Sequence, residues 1–95
     1  MTYTFTAKAW KHGSSGGWVF VSLPADMSSE IRAFVKVMEQ GWGRMNVVAE
    51  VGSSRWKTSM WFDTKHNTYL LPLRADIRLK ENISIDDVID VQVLV

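Results

Sequence analysis

The stretch YLLPLRADIR, residues 69–78, decides the fold that we predict for this chain. An apolar run typical of a buried strand meets Pro72, whose nitrogen carries no hydrogen and cannot donate to a sheet ladder. The same order of strand, proline and helix occurs earlier in VSLPADMSSEIRAF, residues 21–34. We therefore interpret the chain as two β-β-α-β halves, related by a pseudo-two-fold repeat, in which proline turns a strand into a helix. The alternative is that two unrelated strand ends both use proline.

Alternating apolar and polar residues predict the strands of the first half. In residues 3–9 the apolar side chains fall on every second position, which is the period of a strand with one face on a core. Residues 18–23 read WVFVSL, a β-branched and aromatic run typical of a second strand. A Gly- and Ser-rich segment separates the two runs, so we expect them to form a hairpin.

A change of period predicts a helix after the first proline. An apolar stripe recurs at helical spacing in Ile31, Phe34, Val35 and Met38. Ser28 is a suitable N-cap residue at the start of this stripe. We therefore expect an amphipathic helix from about Ser28 to Gln40.

The second half repeats this order of elements. One strand alternates at Val47, Ala49 and Val51. In the next strand one face carries Trp56, Thr58, Met60 and Phe62, and the other face carries Arg55, Lys57, Ser59 and Trp61. A short helix over RADIRL and a last strand that alternates at Ile89, Val91, Val93 and Val95 complete the pattern. The fold class is therefore mainly β with minor α: a small barrel of about six strands with one amphipathic and one short helix.

Length and composition limit the chain to one small domain. Its 95 residues are 46% hydrophobic and include five Trp, which suffices for a single core. We expect one domain over residues 1–95. The chain has no cysteine, no signal-peptide pattern at its start and no apolar run long enough to span a bilayer. These features favour a cytoplasmic protein without a membrane partner.

Charge is distributed unevenly along the chain, although the net charge is only +1. Residues 41–80 carry seven basic and three acidic side chains, whereas residues 81–95 carry four acidic and no basic ones. The small overall excess argues against a dedicated non-specific DNA binder, but a basic face over residues 44–80 is compatible with nucleic acid. Solvated strand faces explain the same charges without any partner.

The order of these segments resembles a prokaryotic family known as a domain of unknown function, number 1905. The resemblance rests on Trp18, Phe20, Leu23, Pro24, Gly52, Trp56, Thr58, Ser59, Tyr69, Leu71, Pro72 and Arg78. It implies a double-split β-barrel, distantly similar to the barrels of AbrB- and MazE-like regulators, in which two chains make one barrel. It implies no activity, and relatives also occur beside a second domain. The chain departs from the family pattern at Ile85, Asp86 and Asp87, which stand in place of a Gly-Asp turn.

Arg74 and Arg78 are the main candidates for a binding site. They lie four residues apart on the short helix, so they share a face and require an anion rather than each other. The functional interpretation is a bound phosphate or carboxylate held by two guanidinium groups near a helix end. Alternatively, Asp76, Glu81 or the acidic tail supplies the anion within the fold.

Arg55, Lys57 and Trp61 are further ligand-binding candidates on one strand face, with Arg44 as an additional cation nearby. An exposed ring at Trp61 can stack a base or fill a pocket of a partner, whereas packing under a neighbouring loop is the plainer explanation. The spacing of Trp56 assigns it to the core rather than to a ligand cage.

No catalytic, metal or cofactor site is predicted. His12 and His66 lie in loop segments without the companions of a nucleophile–base pair, and the aspartates of the tail lack the spacing of a calcium loop. The sequence therefore predicts a non-enzymatic module that binds a small anionic ligand or a protein partner, with a nucleic-acid-binding regulator as the alternative. Because one chain supplies both halves, we expect a monomer.

Overall fold

The structure, a computed structural model, describes residues 1–11, 17–35 and 43–95. The strands are β1 Thr2–Lys8, β2 Trp10–Lys11, β3 Val19–Ser22, β4 Arg44–Val51, β5 Ser54–Asp63, β6 Thr68–Pro72 and β7 Val88–Leu94, and the helices are α1 Ala25–Val35 and α2 Ala75–Lys80. The strands form one antiparallel sheet in the order β1-β7-β4-β5-β6-β3-β2, curled into a half-barrel. The predicted mainly β fold with minor α is confirmed.

The chain bends at Ala9, between β1 and β2, and this bend shapes the sheet. β1 pairs with β7 and β2 pairs with β3, so one short segment supplies both edge strands. Ala9 is fully buried, its amide donates to the Asp87 carbonyl at 2.9 Å, and its carbonyl accepts from the Asp86 amide at 2.7 Å. The predicted hairpin between residues 3–9 and residues 18–23 is therefore wrong, because β1 pairs with β7 at the other end of the chain. Only Trp10 and Lys11, which follow the predicted strand, pair with β3.

The strand pairings have the two-fold symmetry that the repeat predicts. Each residue of β3 corresponds to the residue 50 positions later in the chain. The hydrogen bond from the Leu23 amide to the Tyr69 carbonyl (2.9 Å) is therefore matched by a hydrogen bond from the Leu73 amide to the Val19 carbonyl (2.8 Å). The two-fold repeat relates β1 to β5 and β4 to β7. The β1–β7 pair is therefore equivalent to the β5–β4 pair, and the β4–β7 pair is equivalent to itself. Both halves thus follow one plan, and the finer assignment to a double-split barrel stays a prediction.

The two prolines do not occupy equivalent places in this repeat. Pro72 is the last residue of β6, whereas Pro24 immediately precedes α1. The residue of the first half that corresponds to Pro72 is Ser22, so Pro24 lies two positions further along the chain than an equivalent proline would. Adjacent amides point to opposite edges of a strand, and the Leu73 amide bonds to β3, so the nitrogen of Pro72 faces β5. Pairing of β5 with β6 already stops at Leu70, and the missing N–H therefore costs no sheet hydrogen bond.

Helix α1 begins at Ala25, one turn earlier than predicted. Pro24 fixes φ just ahead of the helix, and the Asp26 carboxylate accepts an amide of the first turn at 2.8 Å. The N-cap prediction for Ser28 is therefore wrong, because the proline starts the helix before that residue is reached. The predicted end near Gln40 lies outside the described residues.

Ser28 instead joins α1 to the sheet. It is fully buried, and its hydroxyl oxygen accepts the amide of Tyr69 in β6 at 3.0 Å. The chain leaves β3 for the helix at this point, so a side-chain oxygen replaces the strand carbonyl that would otherwise accept this amide.

The core confirms the predicted strand faces. Its buried side chains include Tyr3, Phe5, Val47, Ala49, Trp56, Met60, Tyr69, Leu71, Val91 and Val93. Ile31 of α1 and Ile77 of α2 are buried in the same cluster. The indole N–H of Trp56 has no acceptor among the described residues. Neither described helix is long and apolar enough to cross a membrane.

Trp56→Ala should lower the free energy of unfolding by about 3 to 5 kcal/mol, because it empties a large buried site. Trp56→Phe should cost much less, since it keeps one ring and removes a buried N–H that has no acceptor. Urea denaturation of the three proteins measures both differences. A Trp56→Ala variant within about 0.5 kcal/mol of the wild type would show that the ring is not part of the core.

Ser28→Ala should cost about 1 to 3 kcal/mol, because it removes the buried hydroxyl oxygen that accepts the amide of Tyr69. Ser29→Ala is the matched control: the substitution is the same, the helix is the same, and the residue is exposed. We expect the control to change the free energy of unfolding by less than about 0.5 kcal/mol in urea melts. Equal costs for the two variants would contradict the contact between Ser28 and Tyr69.

Candidate functional site

The outer face of the sheet carries a cluster of aromatic rings over β2, β3 and β5. Phe20 is buried at its centre, and its ring centroid lies 5.5 Å from that of Trp10 and 6.2 Å from those of Trp18 and Trp61. We refer to these four residues as the aromatic platform. The three tryptophans shield Phe20 from water and form a small apolar layer outside the core.

Strand alternation places these rings on the outside. Val19 and Val21 of β3 belong to the core, so Phe20 and Ser22 project from the opposite face. Trp10 lies directly across from Phe20 in β2, and its indole nitrogen donates to the Ser22 hydroxyl at 2.9 Å. This hydrogen bond fixes the orientation of one ring of the platform.

Trp18 and Trp61 form the exposed part of the platform. They are 60% and 41% exposed, their ring centroids lie 5.9 Å apart, and their planes are inclined by 41°. The Trp18 ring is stacked on Phe20 with an interplanar angle of only 13°. Two neighbouring large rings exposed to water make this patch a candidate binding surface.

An open cleft of about 390 Å³ lies beside Trp18, where α2 begins. We refer to it as the Trp18 cleft. Its lining consists of Gly17, Trp18, Val19, Leu73, Arg74, Ala75, Asp76 and Arg78. The structure therefore brings two of the predicted anion-binding residues next to an exposed aromatic ring.

Arg74 is paired with a carboxylate of its own helix. Its Nε and Nη2 donate to the two carboxylate oxygens of Asp76, each at 3.1 Å. The fold thus supplies an anion to this arginine, which is the alternative to a ligand. However, the two side chains are 58% and 63% exposed, and such a pair contributes at most about 1 kcal/mol to stability.

Arg78 is held by a backbone group instead. It is half-buried, and its Nε donates to the carbonyl oxygen of Leu73 at 3.1 Å. Within the described parts of the chain, no carboxylate lies at ion-pair distance from Arg78. Its terminal NH₂ groups therefore remain available for an anion that enters the cleft.

The other predicted site residues follow β5 away from the cleft. Arg55 pairs with Glu50 across the β4–β5 ladder at 3.7 Å, and Lys57 lines a separate shallow groove on the outer face. Trp61, at the far end of the same strand face, joins the aromatic platform. The structure thus connects Trp61 with the Trp18 cleft and leaves Arg55 and Lys57 apart from it.

Trp18 is the site residue that sequence reasoning missed. The strand pattern identified Trp18 only as the first residue of the run WVFVSL. The residue 50 positions later is Thr68, the first residue of β6, just as Trp18 immediately precedes β3. A small polar residue therefore satisfies the fold at this position, and that contrast within the repeat is the signal that singles out Trp18.

The other half of the repeat contains a second cleft, which serves as an internal comparison. It lies at the start of α1 and is lined in part by Ala25 and Asn67, the counterparts of Ala75 and Gly17. The positions that correspond to Trp18, Arg74 and Arg78 hold Thr68, Pro24 and Ser28. The aromatic and cationic groups of the Trp18 cleft are therefore not a requirement of the repeat.

The second cleft also presents its aromatic ring differently. Phe62 is half-buried, and the guanidinium carbon of Arg32 lies 4.0 Å from its ring centroid. A cation of the chain itself thus covers this ring. In contrast, the ring of Trp18 is mostly exposed to solvent.

Glu81, the residue that follows α2, holds this helix against the β4–β5 turn. Its Oε2 accepts the hydroxyl of Ser54 at 2.5 Å and that of Ser53 at 3.2 Å. A Cβ at Gly52 would overlap the Glu81 carboxylate, and Gly52 also has a φ of 57°, so both space and backbone require glycine there. The contact fixes the end of the helix that carries the two arginines.

Among the residues that the structure describes, the remaining titratable side chains show no catalytic arrangement. His66 lies in the β5–β6 turn at 2.6 Å from an Asp63 oxygen, and this hydrogen bond is the chief reason that the pKa of Asp63 is lowered. His12 lies outside the described residues. Within the described ranges, no group of three or more His, Cys, Asp or Glu residues could hold a metal ion.

Fold and site together define a small curled β domain that carries an aromatic- and arginine-lined cleft on its outer face. The chain belongs to the DUF1905 family: residues 5–93 match the domain of unknown function of that name. The predicted resemblance is thereby confirmed. No match was found among curated proteins.

Where the family pattern has a Gly-Asp turn, Asp86 of this chain adopts a φ of 75°, a conformation that favours glycine.

The Glu81 contact should make stability depend on pH. The hydrogen bond from Ser54 is the chief cause that lowers the pKa of Glu81. The charged form therefore stabilises the fold above the unfolded pKa of about 4.3, and this contribution is lost as the pH falls through the lower folded pKa. Urea melts of the wild type and Glu81→Gln should differ at about pH 7 and converge toward about pH 3.

Ser54→Ala provides the control for this pH dependence. Because the principal donor to the carboxylate is then absent, Glu81→Gln should have a smaller effect in the Ser54→Ala background than in the wild type. A difference between the wild type and Glu81→Gln that stays constant over the whole pH range would show that the charged carboxylate does not stabilise the turn.

Proposed function

We propose that this domain is a non-enzymatic binding module for a small anionic ligand with a planar ring, and that the ligand occupies the Trp18 cleft. The observation that carries the proposal is the asymmetry between the two clefts of the repeat. Trp18, Arg74 and Arg78 stand where the other half has Thr68, Pro24 and Ser28. Since the other half of the fold is built without an aromatic or cationic side chain at these three positions, we attribute their presence in this half to a ligand.

The chemistry of the cleft matches a ligand with a planar ring and one anionic group. A planar ring stacks on the open side of Trp18, and the NH₂ groups of Arg78 bind a carboxylate or a phosphate ester. The side chains of Arg74, Arg78 and Asp76 together carry one positive charge. A ligand anion that reaches Arg74 replaces Asp76, which is a solvent-exposed partner, at small cost.

Binding rather than catalysis is proposed because the described lining of the cleft contains no His, Cys, Ser, Thr or Lys side chain. The only carboxylate there is Asp76, which is engaged with Arg74. We further propose that the domain acts as a monomer, since one chain supplies both halves of the sheet, and that it acts in the cytoplasm, since it has no cysteine.

Titration with benzoate, thymidine monophosphate and inorganic phosphate tests the proposal, with tryptophan fluorescence and calorimetry as readouts. We expect the two ring-bearing anions to bind and inorganic phosphate to bind much more weakly. Trp18→Ala and the double variant Arg74→Ala/Arg78→Ala should each weaken binding by about fivefold or more, because a stacked ring and a charged hydrogen bond are each worth at least about 1 kcal/mol. Both variants should retain the wild-type melting temperature.

Thr68→Ala is the matched control, because this residue is the counterpart of Trp18 in the other half of the repeat. It should leave the affinity for both ring-bearing anions unchanged. If neither anion binds at millimolar concentration, or if Trp18→Ala binds as well as the wild type, the cleft is not the site. If the double arginine variant unfolds, the arginines serve the fold, and Trp18→Ala alone then decides.

A further inference from the structure

The platform extends the Trp18 cleft by a second exposed ring. Trp61 is inclined by 41° to Trp18, so the two rings are not coplanar and can each receive a separate planar group. Both rest on Phe20, which is only 3% exposed and fixes their spacing. A ligand with one ring uses only one of these two surfaces.

Cationic side chains lie on both sides of this pair of rings. Arg78 and Arg74 line the cleft beside Trp18. On the other side Arg44 of β4 is exposed and lies directly across from Trp61. The neighbouring bond from the Phe62 amide to the Gly43 carbonyl makes this a non-hydrogen-bonded pair, in which side chains approach most closely.

The resulting order of cation, ring, ring and cation matches one class of ligand. A single nucleic-acid strand presents unpaired bases with a negatively charged phosphate between successive sugars. In a duplex the bases are stacked inside and expose only their edges in the grooves, so the faces of Trp18 and Trp61 would find nothing to stack on. The charges and the rings together therefore favour a single strand over the duplex expected for an AbrB-like barrel.

Resting on the function proposed above, we infer that the natural ligand is a segment of single-stranded nucleic acid. Successive bases stack on Trp18 and Trp61, and the flanking phosphates bind Arg78 in the cleft and Arg44 on β4. Recognition of this kind tolerates many sequences, because every base has a face that can stack. Thymidine monophosphate then binds as a fragment that occupies the Trp18 cleft alone.

Fluorescence anisotropy with labelled hexathymidylate at low salt tests this inference against titration with thymidine monophosphate. We expect the hexamer to bind at least about fivefold more tightly than the monophosphate, since a second stacked base contributes about 1 to 3 kcal/mol. Trp61→Ala and Arg44→Ala should each weaken hexamer binding by about fivefold or more and leave monophosphate binding unchanged. The two phosphate contacts, at Arg78 and Arg44, predict a slope of about −1.4 for log affinity against log salt concentration.

Lys80→Ala is the control for general charge effects. Lys80 carries the same charge on the same helix, but two residues from Arg78 it lies on a different face, so its removal should change hexamer affinity by about twofold at most. If the monophosphate binds the cleft but the hexamer binds no more tightly, the inference is wrong and the proposed function stands. If duplex DNA binds as tightly as the hexamer, or if Trp61→Ala and Arg44→Ala both leave hexamer binding intact, the inference is also wrong. If neither ligand binds, both proposals fail.

Discussion

The arrangement of the whole sheet depends on the buried bend at Ala9. Its amide and carbonyl bond to Asp87 and Asp86 in the turn before β7, so the bend satisfies its own backbone groups without a strand partner. Because β1 and β2 lie on either side of this one residue, the two edges of the sheet are tied to each other by the chain itself. This constraint sets the curvature, and the curvature decides which side chains lie inside and which form the outer surface.

The site follows from the outer surface that this curvature leaves. Phe20 faces away from the core and would cost free energy if it stood in water, so Trp10, Trp18 and Trp61 gather around it. Trp10 and Trp61 correspond to each other in the repeat, since each stands across from one of the equivalent residues Phe20 and Leu70. Trp18 has no aromatic counterpart, since Thr68 stands at the corresponding position, and the exposed ring beside the cleft is therefore a property of one half only.

The sequence predicted what depends on local pattern and missed what depends on distant partners. Alternation alone identified the inward faces of the long strands, because burial on one side of a sheet leaves a period of two in the chain. It could not show that β1 pairs with β7 rather than with β3, since that choice depends on residues 80 or more positions away. The start of α1 was placed one turn late because Ser28 suits a cap, although its hydroxyl serves a strand amide. Likewise, Arg74 and Arg78 were found by their spacing, whereas Trp18 required the comparison of the two halves.

The fold holds most side chains of the proposed binding surface in a fixed arrangement. Trp18 is stacked on a buried ring, Arg78 is held by the Leu73 carbonyl, and Glu81 fixes the far end of α2 on the β4–β5 turn. These side chains are ordered by the fold, so a ligand does not need to pay for ordering them again. Arg74 is the exception, because its carboxylate partner is exposed and can be exchanged. The cleft thus combines a rigid ring and a fixed cation with one cation that can move to meet the ligand.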